Sequence, residues 1–209
     1  MKLIDISWPI TADMTAYKDR PTVSFEQTKT FDKDGARETK LTLGSHTGTH
    51  VDSPAHFLAK GDTVNKIPLE QLVGPCTVFD MMSVDSTISR DDLAAYDIDE
   101  GAIVLLKTKN SQHKPTDLFD PNFVYFDPSG AEYLVECGVA AVGIDYSGIE
   151  RDQPDHETHK TLMLADIAII EGLRLAHVPE GEYIFICLPL SLPGLDAAPA
   201  RAILIDEVG

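Results

Sequence analysis

The chain has 209 residues, 43% hydrophobic and 24% charged, the balance of a soluble globular protein able to bury one large core or at most two small ones. Seventeen basic residues stand against 34 acidic ones, a formal charge of −17 at pH 7. So anionic a surface repels phosphate backbones and anionic lipid, which argues against nucleic acid and membrane as partners, whereas divalent cations would offset part of the charge.

In chain order, the amino-terminal MKLIDISWPITADM is interrupted by acid and proline, so no signal-peptide apolar region is expected. No later run reaches the roughly 18 apolar residues that span a bilayer. Short apolar or β-branched segments bounded by Gly, Pro or Asp read as strands: LIDIS, TKLTLG, CTVFDMM, AIVLLKT, FVYF, AAVGIDY and YIFICLPL. SRDDLAAYD begins with the capping residue Ser89 and acids in its first turn, and SGAEYLVECG runs from Ser129 to a stop at Gly138; both read as helices. From His159, HKTLMLADIAIIEGLRLAHVP reads as a short helix followed by a turn, although ADIAII has the composition of a buried strand. With no repeat, low-complexity tract or long Gly/Ser linker, residues 1–209 read as one α/β domain with a mixed sheet and a few helices.

Cys76, Cys137 and Cys187 are odd in number, far apart and in no C-x-x-C arrangement. Neither a disulfide framework nor a cysteine zinc site is expected, and a reducing cytoplasm fits. Each cysteine sits in an apolar stretch and reads as a buried core thiol, and Ser147 lacks the flanking glycines of a nucleophile elbow.

The stretch GSHTGTHVDSPAHF, residues 44–57, holds His46, His50, Asp52 and His56. Gly44, Gly48, Pro54 and β-branched Thr47, Thr49 and Val51 argue against a helix, so an H-E-x-x-H zinc helix is excluded. If His50–Asp52 is extended, a period of two puts both side chains on one side, and a turn at Gly48 can bring His46 alongside. Two imidazoles and a carboxylate suit zinc or manganese, and three protein ligands leave a position for water, the pattern of a catalytic site. Water on such an ion loses its proton near pH 7 and becomes a hydroxide nucleophile. His56 is then a further ligand or a proton carrier. The opposing reading is a polar loop of solvated histidines in which Asp52 forms a local turn. A later segment carries His156, His159 and Glu171; the acid could merely end a buried run, and a spacing of three selects neither histidine.

H-T-G-T-H-V-D-S-P-A-H, from His46 to His56, resembles the H-x-G-T-H-x-D-x-P-x-H signature of the cyclase family, which includes bacterial kynurenine formamidases and isatin hydrolases. GVAAVGIDYSGIE, HKTLMLADIAIIEGLRL and APARAILI resemble that family's G-[IV]-D, H-x(11)-E and P-x-R segments. The resemblance implies an amidohydrolase of swivelling β/β/α-type fold with one or two divalent ions, zinc or manganese. His46, His50 and Asp52 would hold one ion, and Asp52, His159 and Glu171 the second, with Asp52 bridging. His56 would assist proton transfer as metal-bound hydroxide attacks a carbonyl. His159, twelve residues before Glu171, is selected over His156, which is left at the surface or behind the ligands, while His113 and His177 match no ligand and read as structural or exposed.

The family's formamidases typically carry an early segment like P-x-[WF]-P-G-D that shapes an aromatic pocket, where this chain has DMTAYKDRP; Tyr17 is the candidate replacement. A non-peptide C–N hydrolase acting on a small aryl formamide, cyclic amide or lactam is the leading expectation, as a homodimer or homotetramer. A lactone or ester hydrolase using the same site, and a non-catalytic metal-binding protein, are the rivals.

Overall fold

Most of the apolar runs bounded by turn residues become strands of one mixed sheet, with two separate two-stranded ladders beside it. The structure, a computed structural model, describes residues 1–206. Its strands are β1 (Lys2–Asp5), β2 (Ser24–Lys29), β3 (Glu38–Thr42), β4 (His50–Asp52), β5 (Val73–Asp80), β6 (Thr87–Ile88), β7 (Ile103–Lys107), β8 (Tyr125–Phe126), β9 (Ala141–Ile144), β10 (Ala168–Glu171), β11 (Gly181–Pro189) and β12 (Ala197–Asp206). Its helices are α1 (Phe31–Asp34), α2 (Arg90–Leu93), α3 (Pro128–Cys137) and α4 (Glu157–Leu164).

β5, β7, β9 and β10 pair in parallel, and β4, β12 and β11 close the ring through antiparallel ladders, giving a seven-stranded barrel to which β1 adds along the far half of β12. β7 shows why its sequence is an unbroken apolar run. Ile103 and Leu105 point into the barrel with Val51, Ile170 and Phe185, while Val104 and Leu106 point outward beneath Leu134 of α3 and Leu162 of α4. Both faces are buried, at roughly 1.5–3 kcal/mol for each large side chain withdrawn from water.

Where the elements differ from expectation, a local contact explains the change. FVYF pairs only at Tyr125–Phe126, in a two-residue ladder with β6. α2 is one turn long, because Tyr96 turns back to lie on Phe79 and donate to the Asp80 carbonyl at 3.0 Å. α3 starts after Asp127 rather than Ser129: the Asp127 carboxylate accepts the Gly130 N–H at 3.1 Å, and Pro128 takes the first helical position. After α4 the chain enters strand β10 instead of a turn, since Ala168 finds a parallel partner in Ala141 and Glu171 an antiparallel one in His50. β2 had no sequence signal; it forms with β3 a hairpin outside the barrel, exposed on both strands, with Phe25 opposite Leu41.

Candidate metal centre

Val51 points into the barrel, so the residues on either side of it, His50 and Asp52, turn outward toward α4. On β10, Ile170 points inward and Glu171 outward. The β4–β10 register sets Glu171 directly opposite His50, and Glu171 Oε2 lies 3.3 Å from His50 Nε2. Leu162 and Met163 anchor α4 in the outer core, which aims His159 at the same spot: its Nε2 is 3.2 Å from Glu171 Oε1 and 3.5 Å from Asp52 Oδ2. Asp52 Oδ1 lies 3.4 Å from His50 Nε2 and 2.9 Å from His46 Nδ1.

Two glycines let the His46–His50 loop reach this position. Gly48 (φ 63) and Gly172 (φ 71) bring their backbones so close that a Cβ on Gly172 would stand 2.3 Å from the Gly48 carbonyl oxygen. Thr49 Oγ1 staples the approach by donating to the Gly172 carbonyl at 2.6 Å and accepting the Trp8 N–H at 2.7 Å. The Gly48 carbonyl in turn lies 2.8 Å from His50 Nδ1. A carbonyl only accepts, so that nitrogen carries the proton and Nε2 is presented to the carboxylates.

The six expected residues therefore converge. His50, Asp52, His159 and Glu171 are buried, and His46 and His56 stand at the open side, their rings 4.1 Å apart. Potential ligand atoms group within 4.8 Å as His46, Asp52 and His56, as His50, Asp52 and Glu171, and as Glu150, His156 and His159, so Asp52 belongs to two of the three sets. His50 Nε2 and both Asp52 oxygens are buried with no hydrogen-bond partner. The 3.2–3.5 Å spacings among His50, Asp52, His159 and Glu171 match the roughly 3.4 Å between ligands held about 2.1 Å from a tetrahedral ion. Unsatisfied nitrogen and oxygen donors at that spacing fit a divalent cation.

Two acids escaped the sequence reading. Glu150 is buried, accepts the His159 N–H at 3.2 Å, lies 2.9 Å from His159 Nδ1 and also pairs with His156, whose ring stacks on Phe57. It ends an apolar run, GVAAVGIDYSGIE, as Glu171 ends ADIAII, and that parallel was the available signal. Asp196, on the loop before β12, lies 2.9 Å from His46 Nε2 and 3.7 Å from His56 Nδ1; nothing in PGLDAAP marks it. His113 pairs with Asp120 at 3.2 Å, and exposed His177 meets the Asp5 carbonyl at 3.2 Å. Cys76 and Cys187 are buried, which pushes each thiol up to about 12, whereas Cys137 is half-buried rather than a core residue.

Electrostatics follow from this packing. Burial opposes a charge on His46, but Asp52, Asp196 and Glu171 outweigh it and raise its pKa to about 9. Similar opposition between burial and the carboxylates raises His50 and, further, His159. Burial and Asp52 oppose ionisation of Glu171, yet hydrogen bonds from His159 and His50 bring it down to about 2; Asp52 is likewise held well below the usual carboxylate range. His56 goes the other way. Burial lowers its pKa, with His46 and His159 adding to the effect, so its imidazole stays neutral and able to accept a proton.

Beside His46 opens a cavity of about 290 Å³ walled by Trp8, Met14, Tyr17 and Val23. Tyr17 is one of the residues that line it. Ser147 also lines the cavity, and its buried Oγ has no partner.

The cyclase family model matches residues 4–151. A kynurenine formamidase from Salinibacter ruber is 34% identical over 209 residues, spanning 99% of this chain and 98% of its own. A solved structure described as a potential metal-dependent hydrolase with cyclase activity is 45% identical with a TM-score of 0.89, covering 97% of this chain and 96% of that one. Isatin hydrolase A from Labrenzia aggregata, at 22% identity and TM-score 0.84 over 99% and 94% of the two chains, shares the fold. The chain belongs to the cyclase family.

Proposed function

We propose that this protein is a metal-dependent hydrolase cleaving the C–N bond of a small aryl formamide or cyclic amide. The observation that carries it is the buried set of His50, Asp52, His159 and Glu171, in which His50 Nε2 and both Asp52 oxygens lack hydrogen-bond partners, beside a cavity that His46, Trp8 and Tyr17 line. Kynurenine formamidases among its relatives support the aryl formamide end of that range. His46, His50 and Asp52 would hold one ion and Asp52, His159 and Glu171 a second, zinc or manganese; the nitrogen and oxygen donor set suits either. Such ions supply a Lewis acid for the carbonyl and a water acidified to near neutral pH.

The chain's own side chains do the rest. Trp8 and Tyr17 hold the flat body of the substrate with its amide toward His46. His56, held neutral by burial, accepts a proton from the attacking water and returns it to the leaving nitrogen. Glu150 fixes the ring of His159 from behind. A lactone or ester would pass through a similar tetrahedral oxyanion at the same site, and turnover of formanilide, a lactam and a lactone compares the classes. His56→Ala should keep its metal and lose roughly 10²–10⁴ in kcat. Failure of the metal-loaded protein on the whole panel would sink the reading and favour a binding protein.

The same reading has residues 1–209 act as one domain, supported by two cores sharing one sheet. It also has the protein work in the reducing cytoplasm, supported by three free thiols, and as a homodimer or homotetramer, supported by the uncovered Phe25–Leu41 face of the β2–β3 hairpin. Light scattering of the purified protein tests the assembly. No helix among the described residues is long and apolar enough to cross a membrane.

A further inference from the structure

Arg20 is the one side chain of fixed charge among the described residues lining the cavity beside His46. The chain carries twice as many acids as bases, 34 against 17, yet no ion pair to this guanidinium forms among the described residues. A guanidinium presents paired N–H donors at the spacing of the two oxygens of a carboxylate, and it sheds water more readily than an ammonium. Exposed and unpaired beside this cavity, it is free to pair with an anion.

The backbone leading to Arg20 carries an independent mark. Lys18 (φ 52) and Asp19 (φ 54) are consecutive non-glycine residues in the left-handed region, an arrangement that persists only when its surroundings enforce it. They do so here: Asp19 Oδ1 accepts the Phe119 N–H at 3.0 Å, Tyr17 meets Phe119 edge-on at 5.0 Å, and the Arg20 N–H donates to the Tyr17 carbonyl at 3.2 Å. This strained, fastened turn holds a cation beside the cavity that His46 also lines.

We infer that Arg20 selects substrates bearing a carboxylate on the aryl body that carries the scissile bond. The inference rests on the hydrolase reading only for the identity of that bond. Because a chain of net charge −17 repels anions at long range, the preference comes from this local pairing rather than from steering.

Formanilide and 4-formamidobenzoate differ by one carboxylate opposite the formamide, so they isolate the effect. In the metal-loaded wild type, kcat/KM should favour 4-formamidobenzoate by tenfold or more. The ratio should collapse toward unity in Arg20→Gln, be partly kept in Arg20→Lys, and invert in Arg20→Glu, which a merely structural role would not produce. Trp8 is the chain's single tryptophan and lines the cavity, so its fluorescence gives the affinity ratio of the same two compounds without turnover. If neither compound is hydrolysed, the hydrolase reading fails while that affinity ratio still judges Arg20. A ratio unchanged between wild type and Arg20→Glu overturns the inference.

Discussion

His50 and Glu171, 121 positions apart in the chain, are direct cross-strand partners on β4 and β10, and their Nε2 and Oε2 atoms lie 3.3 Å apart. One rung of a ladder therefore joins the two halves of the candidate site. Because the Gly48 carbonyl holds the proton of His50 on Nδ1, the other nitrogen faces the Glu171 carboxylate unprotonated.

Glu171→Gln keeps this rung but removes its charge. The amide oxygen can still accept the Ile149 N–H now bound at 2.6 Å, and the NH₂ can donate to a neutral His50. We expect a folded protein whose divalent-ion affinity falls at least 10–100-fold. In the metal-free protein the raised pKa of His50 should drop, read by ¹⁵N NMR of the imidazole. Wild-type affinity in this variant would refute the assignment of Glu171 as a ligand.

Asp52 touches more of the cluster than any other acid, lying within 3.5 Å of His46, His50 and His159. Asp52→Ala should remove most bound metal. In the wild type, adding zinc or manganese to chelator-stripped protein at 100 times its dissociation constant should add about 2.7 kcal/mol, a rise of about 5–10 °C in Tm. That rise should vanish in the variant; two full equivalents of metal by elemental analysis would contradict a bridging role.

Gly172→Ala forces a Cβ to within 2.3 Å of the Gly48 carbonyl and strains a backbone at φ 71. The combined cost should be about 3 kcal/mol, and the loop carrying His46 should move. Urea unfolding measures the first and metal affinity the second, and a variant as stable and as metal-competent as wild type would show that the close approach is unimportant.

Asp145, fully buried, is pushed up to about 6 by burial, against hydrogen bonds from Ser111 and Thr108 that partly restore the charge. Unfolded, it titrates near 3.8. Between those values the folded state holds a proton that the unfolded state has released, so stability falls as pH rises from about 4 to 6, by about 3 kcal/mol. In Asp145→Asn the amide oxygen can accept both backbone N–H groups and the NH₂ can donate to Thr108 Oγ1. The stability difference, variant minus wild type, should therefore grow by that amount across the window. Parallel denaturation curves from pH 4 to 7 would count against the shift.

Much of the site was legible because it depends on local geometry. The alternation of H-V-D puts His50 and Asp52 on one side of any extended strand, and the glycines on either side of His46 make a turn available wherever that strand lies. Strand composition and helix punctuation are equally local, which is why β1, β7, β11 and α3 fall close to where the residues placed them. Partner choice is not local. Closure of the barrel pairs β4 with β10 on one edge and β12 on the other, and only that long-range hydrogen bonding sets Glu171 opposite His50 and carries Asp196 to His46. The same holds for Glu150 beneath His159, for ADIAII as a strand and for Arg20 at the cavity: each is fixed by what packs against it, and a chain's neighbours in space are decided by the whole fold rather than by its neighbours in sequence.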